Sequence, residues 1–502
     1  MDGIEIEHTQ ERFDYESQDV LPRSPLLPNP AGGETQPESD VDGHNSLREK
    51  PLPDKWWSIF KVPAHVREID ERAYTPRIVS IGPFHYKQPG LEAMEAQKQR
   101  FLRRMLERIS HQNKTQRNLE DVMEELEVRT RACYSEESED IRSDDFVRMM
   151  VVDGCFIVEL LRLSDMYYEN VLADDPIFAT RAMPISLGRD LLLLENQLPL
   201  FVLQKLFQLT SSGGEATPLA TKKELNMLAL KFFEPLRLGK DVIQIENFDL
   251  ESEYSHLFAL FQSSFAPANP HPSSHTQKEK STKYRTIAGE GWVRGAKSLR
   301  IAGVWFKTKS GNVLDIQLKN RILEIPTVFI DEGTGPVRIL VVYEQYNRCA
   351  PSYFSSFAVL LNNIVNKPDD VAILKQSGII WVQWDTDEEL MNFIKSLTKE
   401  LMLIDMVDFQ FGKLIRGLRK HCQSYPAKLR LLLVAMLPYQ NRQRLEVFCA
   451  ILEGLESELL DLLGILKFLD SSYFVGSVFV PWAWVEELQS YTMGTKLANH
   501  GL

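Results

Sequence analysis

Residues 146–161, FVRMMVVDGCFIVELL, decide the fold class. Phe146, Met149, Met150, Ile157 and Leu160 recur at the three- and four-residue intervals of one helical face, and the run is too long for a strand. Asp153 falls in line with them. Its carboxylate must then find a partner inside the protein, because an unpaired buried charge costs several kcal/mol. The same periodicity, read outward, predicts helices over 91–109, 117–133, 187–209 and 222–236. In the first of these Lys98, Arg100, Arg103, Arg104 and Arg108 fall away from the apolar positions, which predicts a solvated charged face. Residues 77–84, RIVSIGPF, are a short β-branched run ended by Gly-Pro, a strand or extended segment closed by a turn.

The pattern changes near 265. Residues 265–291 are rich in Pro, Ser, Thr and Lys, the composition of a flexible insertion. Residues 304–307, 313–318 and 322–330 then cluster β-formers between Gly311-Asn312 and Pro326, enough for a small hairpin or meander. Helical patterns return over 337–366, 386–406, 411–436 and 440–469. The expected fold class is mainly α (α-rich α+β): a multi-helix globular body with a small antiparallel β element in its second half. Residues 1–54 read as a disordered acidic, Pro-rich tail, since they hold too little apolar side chain to offset the entropy of ordering.

With 57 Lys+Arg against 70 Asp+Glu, the 502-residue chain carries a formal charge of −13, which argues against a nucleic-acid binder. Cys133, Cys155, Cys349, Cys422 and Cys449 are odd in number and scattered, and they predict ordinary, mostly buried thiols in a reducing compartment. The first thirty residues lack a basic start followed by an apolar core, so no secretory signal is expected. No window approaches the roughly 18 apolar residues of a membrane span. The chemistry of known motifs is missing too: there is no phosphate-cradling loop, zinc helix or nucleophile elbow, and no cofactor or metal is implied.

Three segments place acids in apolar surroundings. The first is the run around Asp153. The second is residues 190–199, DLLLLENQLP, in which Asp190, Glu195, Asn196 and Gln197 precede a proline that should end or kink a helix. The third is residues 341–346, VVYEQY, with Glu344 and Gln345. These side chains are expected to be structural: capping helix ends, pairing with cations or bonding freed backbone amides. The alternative is a hydrolase in which Asp153, Glu195 and Glu344 converge as acid and base, which would need carboxyls within about 5–9 Å.

A further feature is electrostatic. Residues 409–445 contain no Asp or Glu but eight Lys and Arg, among them Lys413, Arg416, Arg419, Lys420, Lys428 and Arg430. Interleaved with leucines, this stretch suits docking on the protein's own acidic body, an acidic partner helix or an anionic membrane surface.

Taken in order, Val62-Pro63, residues 73–85 (AYTPRIVSIGPFH), residues 146–161, residues 190–201 (DLLLLENQLPLF) and Tyr343-Glu344-Gln345 closely resemble the plant domain-of-unknown-function 247 family, over roughly residues 55–425. The resemblance implies a plant protein with a mainly helical body and undefined biochemistry. Some grass relatives are implicated in self-incompatibility at pollen–stigma recognition, which implies specific protein recognition rather than catalysis. Family members usually end in a membrane-spanning helix. Here the pattern dissolves after Gln423, and residues 473–485 are too short to replace that helix, so 426–502 read as a divergent helical region. The expectation is a non-catalytic protein-recognition or signalling module with an unknown protein partner, cytoplasmic or peripheral to a membrane, its insertion and exposed helix faces making the contacts.

Overall fold

Among the described residues, helix formation in the first half follows the apolar spacing. The elements are α1 (Ala64–Arg67), α2 (Glu92–Ser110), α3 (Gln116–Arg131), α4 (Ser143–Tyr167), α5 (Ala182–Leu191), α6 (Leu200–Thr210) and α7 (Pro218–Phe233). The computed structural model describes residues 57–111, 114–135, 140–167, 175–211, 217–243, 245–266, 295–330, 335–347, 349–382, 386–399, 401 and 410–436. The 1–54 tail, the predicted helix at 440–469 and nearly all of the 265–291 insertion lie outside them.

The axis of the first half is α4, which packs against α2, α3, α6 and α7. Positions 149–161 of α4 are buried all round, because helices cover every side of it. Gly154 lets α6 come close: a Cβ there would collide with the Leu206 side chain. The start of α7 is fixed by Thr217, whose hydroxyl accepts from Ala220 N at 3.2 Å, and by Pro218 in the first turn.

Four helical expectations are shortened or divided. The predicted helix 187–209 stops at Leu191, where the Asn196 and Gln197 side chains take the carbonyls of Asp190, Leu191 and Leu193, and restarts at Leu200, behind Pro199. The predicted 337–366 becomes α10 (Gly335–Tyr346) and α11 (Tyr353–Ile364), separated by a loop containing Pro351. Between the halves stand α8 (Leu257–Ser263) and α9 (Ala296–Ile301); after α11 come α12 (Pro368–Gln376) and α13 (Asp387–Ser396), the latter shorter than the predicted 386–406. The predicted 411–436 is two helices, α14 (Gly412–Cys422) and α15 (Tyr425–Met436), with Pro426 in the first turn of the second.

The β element is small and mixed. Strands β1 (Trp305–Lys309), β2 (Gln317–Lys319) and β3 (Ile322–Pro326) form a sheet in the order β1-β3-β2, and β4 (Val328–Ile330) pairs in parallel with β5 (Ile380–Val382). The antiparallel pair is β2–β3, joined by Asn320 and Arg321 at φ 49° and 67°, the two-residue hairpin geometry. That turn occupies one edge of β3 and leaves the other to β1, which pairs in parallel. Residues 77–84 form no strand; the amides of 77–79, 81 and 82 donate to side chains instead.

The core does not divide at the insertion. Phe233, Phe261, Phe265 and Phe354 form a chain of edge-to-face contacts with centroids 5.1–5.9 Å apart, which ties α7 and α8 to α11. Of the four described cysteines, all free, only Cys155 is buried, fewer than the sequence predicts.

Candidate functional site

Because residues 62–85 are mostly irregular, their backbone amides lack the partners that a helix or sheet supplies. The polar side chains of 190–197 supply them. Asp190, in the last turn of α5, accepts from three successive amides: Arg77 at 3.0 Å, Ile78 at 2.7 Å and Val79 at 3.0 Å. Burial pushes its pKa up, and these three bonds oppose the rise. Asn196 accepts from Ile81 N at 2.6 Å and donates to the carbonyls of Val79 and Asp190 at 3.0 and 2.9 Å. Gln197 donates to the Leu191 and Leu193 carbonyls and accepts from Phe258 N, so it closes the loop after α5 and seats the start of α8.

Glu195 accepts from Val62 N at 2.7 Å and from the Arg67 guanidinium, with His85 Nε2 3.4 Å from its second oxygen. Burial alone would raise its pKa, but the His85 contact, the Val62 amide and the Arg67 charge bring it below the usual carboxylate range. Asp153 joins the same segment from α4, accepting from Gly82 N at 2.9 Å. Its other oxygen meets Lys98 Nζ at 2.8 Å, and Lys98 also reaches Glu95 and the Ser80 carbonyl. Burial works against the Lys98 charge, yet the Asp153 and Glu95 carboxylates together hold the ammonium above its ordinary range. Gly82 is required here. Its φ is +72°, and a Cβ would lie 2.8 Å from the Gln197 carbonyl.

The expectation of a solvated face on α2 holds for the exposed Arg103, but the other four cations reach acids of the body. Lys98 is 2% exposed. Arg100 forks onto Asp175 at 2.7 and 3.0 Å, and Arg104 and Arg108 converge on the fully buried Glu159 of α4 at 3.2 and 2.8 Å. An amphipathic wheel counts these residues as polar; it cannot show that the facing helix holds buried acids. Glu159 and Asp370 are the polar anchors that sequence reasoning missed. Asp370 accepts from the amides of Lys297, Asn366 and Lys367 at 2.7–2.9 Å, joining α9 to α12.

Glu344 stands apart. It accepts from Phe354 N at 2.8 Å and Ser355 N at 2.7 Å, the opening amides of α11, while Gln345 donates to the Ser355 hydroxyl at 3.1 Å. With no cation among its partners, burial pushes its pKa up to about 7. The structure thus brings Asp153, Asp190 and Glu195 to one segment, residues 62–85, and places Glu344 at another. None of the four lines either described cavity. The better formed of these, about 170 Å³, lies among Phe178, Ile185, Phe232 and Leu236 beside the Lys231–Asp165 pair. That is below the roughly 300–1,000 Å³ of small-molecule sites.

The basic stretch is arranged differently. Phe411, Ile415 and Leu418 are buried, and Gly417 lies against Leu318 of β2. Lys413, Arg416, Arg419, Lys420 and Lys428 are exposed, and no acid among the described residues pairs with them; Arg430 is half-buried. The apolar stripe therefore docks α14, and its charges stand away from the acids of the described residues.

The model of the domain-of-unknown-function 247 family, described as a plant protein of unknown function, matches residues 59–452. The chain belongs to this family. It is 29% identical to UPF0481 protein At3g47200 of Arabidopsis thaliana, over 68% of this chain and 73% of that protein. A second Arabidopsis thaliana protein, Putative UPF0481 protein At3g02645, is 24% identical over 71% of this chain and 81% of its own length. No solved structure matches. The two strings that carry the family resemblance most plainly, SIGPFH at 80–85 and DLLLLENQLPLF at 190–201, prove to be the two sides of one seam, with Ile81 N donating to Asn196 and His85 Nε2 3.4 Å from Glu195. Among the described residues no helix is long and apolar enough to cross a membrane.

Proposed function

We propose that this plant protein is a non-catalytic protein-recognition or signalling module. One observation carries the reading: the oxygens of Asp153, Asp190, Glu195 and Glu344 are committed to backbone amides and buried cations, which leaves these acids to hold the fold. Recognition then belongs to exposed side chains. Large apolar ones stand out on several elements: Val128 on α3, Val242 and Trp381 are 83%, 73% and 60% exposed.

The test uses the full chain as bait in plant tissue extract. A specific protein should be recovered, and Val128→Glu or Trp381→Glu should lose it while the fold, followed by circular dichroism, is retained. Recovery of chaperones alone, unchanged by either substitution, would remove the reading. The hydrolase alternative would instead be favoured by turnover of a chromogenic glycoside or ester that Glu344→Gln abolishes in a folded protein.

A further inference from the structure

The two consecutive helices α14 and α15 expose side chains at matched spacing. On α14, Lys413, Arg416 and Lys420 stand at positions i, i+3 and i+7, with Arg419 beside them, all exposed. On α15, Tyr425, Lys428 and Leu432 repeat the same interval, with Tyr425 78% and Leu432 55% exposed. The opposite faces are anchored: Ile415 and Leu418 are buried on α14, and Ala427 and Val434 on α15. The turn between β2 and β3 adds the exposed Lys319 and Arg321, and β2 lies against α14. In a chain of net charge −13, this is a local reversal of sign.

From the geometry we propose that α14 and α15 form a peripheral docking surface for anionic phospholipid. Cations draw the face to a negatively charged headgroup layer, each contributing to affinity within a Debye length of the surface. The stripe on α15 supplies the second requirement. An exposed tyrosine and leucine flanking a lysine fit the boundary between headgroups and acyl chains, where an amphipathic side chain keeps one end wet and one end dry. Charge alone would serve an acidic protein equally well. Exposed Tyr425 and Leu432, held out by the buried Ala427 and Val434, are what favour lipid. Neither described cavity has a lining residue in this face. This inference does not rest on the recognition reading.

The test is co-sedimentation of the full chain with vesicles of phosphatidylcholine alone and of phosphatidylcholine mixed with phosphatidylserine, at low and high salt. Binding is expected only to the mixed vesicles, and it should fall with salt. Arg416→Gln/Lys420→Gln should bind about thirty-fold more weakly, since each cation near an anionic surface is worth about five-fold. Tyr425→Ser/Leu432→Ser should weaken binding even at low salt. All six positions of the two stripes are exposed, so unchanged thermal melting of the variants separates lost binding from lost fold. Equal binding to phosphatidylcholine alone, no binding to mixed vesicles, or binding that both double variants leave intact would overturn the proposal. Capture by polyglutamate that depends on Arg416 and Lys420, with no vesicle binding, would overturn it in favour of an acidic protein partner.

Discussion

Several buried acids of the first half are held differently from Glu344 in the second. In the first half Asp153, Glu159, Asp175 and Glu195 each meet a Lys or Arg as well as, in three cases, a backbone amide. In the second half Glu344 has two amides and a glutamine side chain at 3.4 Å, and no cation. The difference shows in protonation. Arg67 and its neighbours keep Glu195 below the ordinary carboxylate range, whereas Glu344 rises to about 7. Lys98 and Arg67 make Asp153 and Glu195 cation-paired struts, and Glu344, which has no cation, is a titratable joint.

Breaking a strut should cost most. Asp153→Ala leaves the Lys98 ammonium buried with only a carbonyl and the half-exposed Glu95, and frees the Gly82 amide. A loss of about 3–5 kcal/mol in unfolding free energy by urea titration is expected. Lys98→Met/Asp153→Leu, which removes both charges and keeps the volume, should recover a large part of it. A double variant no more stable than Asp153→Ala would mean that the pair's hydrogen bonds to Ser80 and Gly82, rather than its charge, dominate.

The joint should respond to pH. Folded Glu344 keeps its proton up to about 7, against an ordinary value of 4.5, so folding takes up a proton between those limits. Its contribution is full below pH 4.5 and is lost as pH rises through 7, a change on the order of 3 kcal/mol. Other acids titrate in the same range, so the quantity to measure is the difference between the native protein and Glu344→Gln at about pH 5 and about pH 8. The native protein should lose stability relative to the variant on going to the higher pH. A difference that does not move with pH would place the native Glu344 alongside Glu195, which lies below the ordinary carboxylate range.

Gly82 tests the seam without touching a charge. Gly82→Ala places a side chain at φ +72° against the Gln197 carbonyl and should cost about 1–3 kcal/mol, read from thermal unfolding. An effect below that range would show that the seam yields at the expense of the Asp153 bond.

The same contrast explains what the sequence made legible. The all-apolar character of α4, the break before Pro199 and the β cluster after residue 304 are local signals, and each appears in the fold. That Asp153, Asp190, Glu195 and Glu344 are buried and must find partners could be read from their apolar neighbours. Which partner could not. Asp190 bonds amides 111–113 positions away, and Lys98 finds Asp153 on another helix, so the solvated face expected of α2 holds one buried lysine and arginines that reach inward to acids, while Arg103 is exposed as expected. Glu159 was hidden for the same reason: its cations Arg104 and Arg108 lie on α2, and only packing of α2 on α4 joins them.

The smallest expected effect sharpens the comparison between inner and outer charge. Arg104 and Arg416 are both helix arginines with substantial exposure, yet Arg104 reaches the buried Glu159 and Arg416 reaches no acid among the described residues. Arg416→Gln should therefore change unfolding free energy by no more than about 0.5 kcal/mol, as expected of a surface site away from any pair. Arg104→Gln withdraws one of the cations around a carboxylate that has no access to water, and should cost clearly more. Because Arg108 and Arg162 also stand within 4.0 Å of Glu159, that cost should stay below the cost of removing Lys98 from Asp153. If Arg416→Gln destabilised the fold as much as Arg104→Gln, the outward-facing cations would be holding the body together, and the surface of α14 would not be free to bind anything else.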